Sequence, residues 1–374
     1  MKVKQDKPED GKVKLTISAD AQEVDAAITY LLIKCASENS VDTSESPDLE
    51  FAVRAKVGNE FWQAYLDYQL PLFLAAKAVG VSKIESILNP EIVGKLPRVE
   101  KSRSLQFQAS VILKPQLTLT SYEPVTVTVA PITISESELD DQLYMLAESF
   151  ATYTDDEEGN PDPTTKTIPA ITDSWVEENI PNAVTVTELR EMIRLSALAY
   201  KQNEQHDYIA YTAASELAKR LQGNISTQIF ELTGKDLLAS LQRNLDYQQR
   251  TMQEFVASQG GEAAFQAHML LQTREVLRQG FALDALARHL ELQVSAADLD
   301  EAFRRMAPGH EDMAYLDFEQ TGRMYVMEEA ALRMKANNWL VETAIVNYRE
   351  NDESPDSEGE DHLDDDQASV DDDL

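Results

Sequence analysis

Apolar and polar side chains alternate through Lys12, Val13, Lys14, Leu15, Thr16 and Ile17, the two-residue period of a strand with one buried face. At Asp20 the period changes. Val24, Ala27, Ile28, Leu31, Leu32 and Cys35 recur at helical spacing, and Asp20 is placed to cap the helix that carries them. The polar stretch 37–48 has no base and no aromatic and reads as an exposed loop. A second helix is expected over 59–79, with Phe61, Trp62, Tyr65, Leu66, Phe73 and Ala76 as core candidates. Pro71, lacking an amide hydrogen, should kink or split it, and Gly80 should stop it. Leu105, Phe107, Ala109, Val111 and Leu113 then alternate as a strand that breaks at Lys114-Pro115. Shorter strand patterns follow at Leu117/Leu119 and at Val125/Val127/Val129.

Beyond residue 130 the period becomes helical. Ile134-Ser135-Glu136 opens a short acidic helix with Leu139, Leu143 and Leu146 along one side, and a charged Pro/Gly linker spans 155–163. Thr185 and Glu188 have capping-box spacing ahead of a helix expected to reach about residue 221. Shorter helices are expected around 226–233, 235–258, 261–290, 295–306 and 318–346. In the last of these Met324, Met327, Ala331, Met334, Asn338, Val341 and Ile345 follow alternating steps of three and four, with Tyr325, Leu332 and Trp339 as a second row. So broad an apolar face needs another helix or a bound partner to cover it.

Charge changes this picture only locally. Sixty-six acids against 33 bases give a formal net charge of −33, which argues against nucleic-acid backbones and anionic membranes as direct partners. Residues 350–374 hold thirteen acids and no Lys or Arg, and residues 131–165 hold ten acids and no base. The other 314 residues carry a net of only −10. The last 25 residues have the composition of a disordered acidic tail.

Chemistry-bearing motifs are scarce. The single cysteine, Cys35, falls on an apolar helix face and reads as a buried thiol. None of the five histidines has a His or Cys partner at metal-ligand spacing, and no phosphate-loop, dinucleotide, zinc-protease or nucleophile-elbow pattern occurs. His310-Glu311-Asp312, after Pro308-Gly309, reads as a loop, and acid pairs such as Asp140-Asp141 read as a solvated face. No cofactor is expected. The start, Met1-Lys2-Val3-Lys4, lacks the apolar core of a secretory signal, and the apolar run at 70–76 ends at Lys77, too short to span a bilayer. A cytoplasmic protein is expected.

Several of these segments resemble the trigger factor family, cytosolic bacterial chaperones met by nascent chains. The alternating strand from Leu105 into Lys114-Pro115, then Leu117, Leu119, Tyr122 and Val125, is similar to the end of the family's N-terminal domain. The acidic helix from Ile134 to Leu146 looks like the helix after it. Val184-Thr185-Val186-Thr187-Glu188-Leu189-Arg190-Glu191 resembles the opening of the family's C-terminal arm domain, and the stretch from Val276 to Ser295 looks like its hinge between helices.

The resemblance implies an α+β chain: a small N-terminal α+β domain over 1–130, then an elongated all-helical C-terminal domain with arms over 169–349. An acidic helix and linker over 131–168 stand between them, and the acidic tail over 350–374 comes last. The sequence departs from the family twice. About twenty residues, 150–169, stand where a prolyl isomerase domain normally lies, too few to enclose a core, so isomerase activity is not expected. The acidic loop 37–50, with Glu38, Asp42, Glu45, Asp48 and Glu50, stands where the family has a basic, aromatic ribosome-docking loop, so ribosome binding is not carried over.

What the resemblance then implies is an ATP-independent holdase for unfolded or nascent polypeptides. Met306, Met313, Phe318, Met324, Met327 and Met334 are the candidates for its client-binding lining, because flexible Met side chains suit many sequences. Packing of the arm helices is the alternative role for each of them. A second functional reading is an acidic escort for basic proteins such as unassembled ribosomal proteins, with the acidic tail supplying long-range attraction.

Overall fold

The computed structural model describes residues 1–9, 11–41, 48–87, 89–154 and 163–349. The expected tail at 350–374, residues 155–162 of the expected linker and the centre of the expected acidic loop, 42–47, lie outside the described residues. In sequence order, strands β1 (Lys2–Gln5) and β2 (Lys12–Ala19) lead to helices α1 (Ala21–Glu38), α2 (Leu49–Val57) and α3 (Asn59–Val81). Strands β3 (Glu91–Val93), β4 (Leu105–Ile112), β5 (Thr118–Leu119) and β6 (Thr126–Val129) follow. Next are α4 (Glu136–Ser149), α5 (Asp173–Asn179), α6 (Val186–Lys219) and strand β7 (Leu221–Gln222). Helices α7 (Thr227–Tyr247), α8 (Met252–Ser258), α9 (Glu262–His289), α10 (Ala296–Met306), α11 (Glu311–Gln320) and α12 (Met324–Thr343) precede a last strand, β8 (Ile345–Tyr348). The fold is α+β, with a strand-containing N-terminal region and a long helical C-terminal region. It divides into two compact units, Met1–Pro124 with Ala214–Thr343, and Val125–Ala213 with the residues from Ala344.

In the first unit β2 and β4 pair antiparallel, with Leu15 opposite Ala109 and Ile17 opposite Phe107. Their two-residue period therefore puts Val13, Leu15, Ile17, Ala109 and Val111 on one buried face. The short strands β1 and β3 flank them in the order β1-β2-β4-β3. Helix α1 covers that face with Val24, Ala27, Ile28, Leu31 and Cys35, and α3 with Trp62, Leu66, Leu70 and Leu74. Each fully buried Leu or Val in this core contributes about 1.5–3 kcal/mol. The Asp20 carboxylate accepts from the Glu23 amide at 3.0 Å, and Glu23 accepts from the Asp20 amide at 3.0 Å, so α1 begins with a complete capping box.

Helix α3 excludes a split at Pro71, one core candidate and the stop at Gly80. It runs unsplit through the buried Pro71, because Leu70 and Leu74 hold it to the core on both sides. Phe61 is 51 % exposed, since the buried stripe follows 62, 66, 70 and 74, and a neighbouring residue points about 100° away around the helix. Gly80 does not stop the helix, which continues to Val81. A Cβ at Gly80 would stand 2.2 Å from the Gly322 carbonyl oxygen, so the glycine is there for backbone approach. The exposed loop expected at 37–48 is shorter than its composition suggests: α1 reaches Glu38, and Asp48 already caps α2 by accepting from the Phe51 amide at 3.2 Å.

The rest of this unit is helical around a second core of Ile112, Leu117, Ile229, Leu277 and Phe281, beside the antiparallel pair β5–β7. Gly234 lies inside α7, and the helix expected over 235–258 is two, α7 and α8. The segment after Pro308-Gly309, expected as a loop, forms α11 from Glu311. The helix expected over 318–346 is interrupted at Thr321–Arg323, where Gly322 takes φ +69°.

The second unit packs α4, α5 and the start of α6 around Leu143, Val176, Ala183 and Leu189, with Phe150 edge-on to Trp175 at 5.2 Å. The Glu188 amide donates to Thr185 Oγ1 at 3.2 Å, one half of the capping box expected there. Val127 of β6 pairs in parallel with Val346 of β8, so Ile345 belongs to a strand and not to the helical row where its spacing puts it. The acidic helix α4 has the solvated face expected of it, with Glu136, Asp140 and Asp141 exposed, and bases of α6 meet that face. Arg190 holds Glu136 at 2.7 Å and Asp140 at 2.6 Å, Arg194 holds Glu136 at 2.8 Å, and Lys201 holds Glu138 at 2.5 Å. The hydrogen bonds from Arg194 and Arg190 hold the Glu136 carboxyl below its ordinary range, and those from Lys201 and Ser135 do the same for Glu138.

Candidate functional site

Helices α10, α11 and α12 enclose Phe303, 2 % exposed, as the centre of a small aromatic and methionine cluster. Phe318 meets its ring edge-on at 5.7 Å, and Tyr315 lies tilted at 5.4 Å. The cluster forms because α10 is pinned at its start. Ser295 and Asp298 make a capping box, and Lys335 of α12 reaches Asp298 at 2.8 Å. The hydrogen bond from Lys335, joined by those from Ser295, brings the Asp298 carboxyl down to about 2. At the other end Arg323 stacks over the Phe318 ring at 4.8 Å and bonds Asp317 at 2.7 Å, while the Tyr30 hydroxyl of α1 donates to the same Asp317.

The six residues singled out from the sequence separate into two sets. Phe318, Met324, Met327 and Met334 come together on this cluster, with Met327 only 3 % exposed and the other three half-buried. Met306 and Met313 do not join it and stand 44 % and 72 % exposed. Beside them Leu316 is 52 % and Tyr315 40 % exposed. Sequence reasoning misses those two and Phe303, because the turn signal at Pro308-Gly309 suggests a loop where α11 forms. A signal for that helix does exist: Met313, Tyr315 and Leu316 fall within one helical turn.

A buried charge cluster lies at the base of α12. Asp284 of α9, 6 % exposed, accepts two hydrogen bonds from Arg333 at 2.8 Å each and faces Lys114 Nζ at 2.7 Å. Glu329 completes it, 3.0 Å from Lys114 and 2.7 Å from Arg333. Burial alone would raise the Asp284 carboxyl; Arg333 and Lys114 outweigh it and hold the group below its usual value. Two cations and two anions thus join the end of β4 to α9 and α12. A cleft of about 1110 Å³ opens beside them, lined by Gly80, Ser86, Arg288, Leu292 and Tyr325 among others.

Chemically, the arrangement offers contact area. Among the described residues no three His, Cys, Asp or Glu side chains are grouped to hold a metal ion. Cys35 is fully buried, its thiol pushed up by burial. Of the acids in the 37–50 loop, Glu50 is engaged by Arg54 at 2.7 Å and Lys101 at 3.3 Å, and the Arg54 hydrogen bond leads in holding its carboxyl low. Asp42 and Glu45 lie outside the described residues. No described helix is long and apolar enough to cross a membrane.

Comparison with known families decides what this arrangement belongs to. Residues 1–146 match the sequence model of the family described as bacterial trigger factor protein (TF), and residues 185–342 match that of its C-terminus. The chain belongs to the trigger factor family. A trigger factor of Geobacillus thermodenitrificans is 31 % identical over 162 residues, which is 42 % of this chain and 37 % of that protein. One of Rhodococcus opacus is 34 % identical over 79 residues, 21 % of this chain and 17 % of its own. The match thus spans well under half the length of these curated relatives. A solved structure reported for promiscuous substrate recognition by the trigger factor chaperone aligns over 91 % of this chain and 99 % of its own, with TM-score 0.39 and 16 % identity.

Proposed function

We propose that the protein is an ATP-independent chaperone, a holdase that shields apolar segments of unfolded or nascent polypeptides. The observation that carries the reading, within this family, is the set of exposed apolar side chains on α10 and α11, Met306, Met313, Tyr315 and Leu316, near the Phe303 cluster. An apolar surface of flexible and aromatic side chains on a firmly pinned helix accepts many sequences without a dedicated pocket. Phe318, Met324 and Met334 pack against the Phe303 core, and Met327 belongs to it. Binding and release then need neither nucleotide nor a catalytic group. The proposal includes a cytoplasmic location and excludes prolyl isomerase activity, because only residues 147–184 separate the two family matches, too few for a further domain with its own core.

Light scattering of a chemically denatured, aggregating client tests it. The wild-type protein at molar excess should suppress aggregation without nucleotide, and Met313→Ser with Leu316→Ser should weaken suppression several-fold at unchanged thermal stability. Full suppression by the double variant refutes the assigned surface, and none by the wild type refutes the chaperone reading.

The second reading, escort of basic proteins, is favoured by the thirteen acids and no bases in residues 350–374. A truncation ending at residue 349 should then lose affinity and salt sensitivity toward a basic client, whereas the holdase surface is indifferent to that truncation.

A further inference from the structure

A small notch in the first unit has a chemistry unlike the rest of this acidic protein. Its volume is about 390 Å³, near the lower end of ligand pockets, which run from roughly 300 to 1,000 Å³. Ile225, Phe230, Leu270 and Leu277 make the walls, and its floor is continuous with the core around Leu277 and Phe281. Arg274 and Arg278 also line it, with Asn224 and Thr227. Leu270, Arg274 and Arg278 are each one turn apart on α9, so the wall and both cations share a single helix face.

No acid lines this notch. Arg278 donates one hydrogen bond to the Ala218 carbonyl at 2.7 Å, which orients it. Among the described residues neither arginine, Arg274 exposed and Arg278 half-buried, has a carboxylate within ion-pair distance, whereas Lys114 and Arg333 deeper in the unit are paired. Leu270 is 56 % exposed at the mouth. The notch has room for one or two side chains, not for an extended segment.

We infer that this notch binds client segments in which a large apolar side chain is followed closely by a carboxylate. The inference rests on the holdase reading and names the sequence class that one subsite of such a protein selects. The apolar side chain fills the space between Phe230, Leu270 and Leu277. The carboxylate, from Asp, Glu or the C-terminus of a client, meets the Arg274–Arg278 pair, where guanidinium geometry allows two parallel hydrogen bonds. In a protein of net charge −33, acidic segments would otherwise be repelled, so the pair supplies local attraction where the overall field opposes it.

Fluorescence anisotropy with dye-labelled peptides tests this on the full-length protein. The peptides carry a Leu-Asp pair in a Gly/Ser background, with Leu-Asn and Leu-Lys counterparts. The wild type should prefer Leu-Asp over Leu-Asn by about tenfold, near the lower end of what a hydrogen bond to a charged group contributes. Arg274→Gln should bring the two within twofold, Arg274→Lys should keep part of the preference, and Leu270→Ser should weaken both peptides alike. No preference in the wild type, or a preference surviving Arg274→Gln, overturns the inference. Displacement of the peptide by dodecanoate at far lower concentration assigns the notch to a free amphiphile and also overturns it. So does a shift of Arg274→Gln from dimer to monomer in sedimentation, which makes a second copy the occupant. Client aggregation followed in parallel keeps the two readings apart: unprotected clients with intact peptide preference sink the holdase reading alone, and the reverse sinks only this subsite.

Discussion

Replacing Asp284 by Asn changes one oxygen to an amide nitrogen in a site largely shielded from water. The wild-type carboxylate serves Arg333 twice at 2.8 Å and Lys114 once at 2.7 Å. Asparagine keeps one acceptor, which at the Oδ2 position still serves Lys114 and one Arg333 nitrogen, but its NH2 group then faces the Arg333 Nε–H, which also only donates. Two cations are left against the single negative charge of Glu329, and Lys114 is 9 % exposed, too little for water to compensate. Removing one partner of a buried ion pair costs about 3–5 kcal/mol. Glu329, 25 % exposed, remains to offset part of this, so the expected loss is near the lower figure, about 3 kcal/mol. With a urea slope of about 2–3 kcal/mol per molar, the midpoint should fall by about 1–1.5 M. Circular dichroism follows the whole protein, and the fluorescence of Trp62 and Trp339 reports on this unit.

Lys114→Met in the Asp284→Asn background should recover part of the loss, because it removes the uncompensated cation. The pH dependence has a definite sign. The Asp284 carboxyl lies below its unfolded value, so its contribution is fully present above about pH 4 and is lost as pH falls through the folded value. Wild type should therefore lose its margin over Asp284→Asn in acid. A midpoint shift below about 0.3 M, or a double variant weaker than the single one, would refute the reasoning.

Two further substitutions probe the fold. Gly80→Ala puts a methyl 2.2 Å from the Gly322 carbonyl and should cost about 2–3 kcal/mol in urea unfolding, whereas propensity alone would make it stabilising. Asp20→Ala removes the capping box of α1 and should cost about 1 kcal/mol, with the first amides of that helix gaining hydrogen exchange before the rest.

Long elements that carry their own period are legible in the sequence. β2 and β4 have a strict alternation, α1 its cap and helical spacing, and α6, α9 and α10 their bounds within a few residues. Of the short strands, β5 and β6 are legible from their alternation and four others are not. β1, β3, β7 and β8 have two to four residues each and exist only because a partner edge is presented to them, as Val346 is to Val127. Spacing alone selects the candidate methionines, and spacing does not distinguish Met327 at 3 % exposure from Met313 at 72 %. Which of two apolar residues is covered depends on where α10 and α11 pack.

By itself, then, the sequence determined the local periods, the caps, the two acid-rich stretches and the family. Those are properties of neighbouring residues, written in steps of two, three or four. The tertiary structure alone decided that Lys114, Asp284, Glu329 and Arg333 form one neutral cluster, and that Gly80 serves a backbone contact with Gly322. It alone left Arg274 and Arg278 facing an apolar notch without acids. Each of these joins residues from separate elements, and no local pattern encodes a distance that only packing closes.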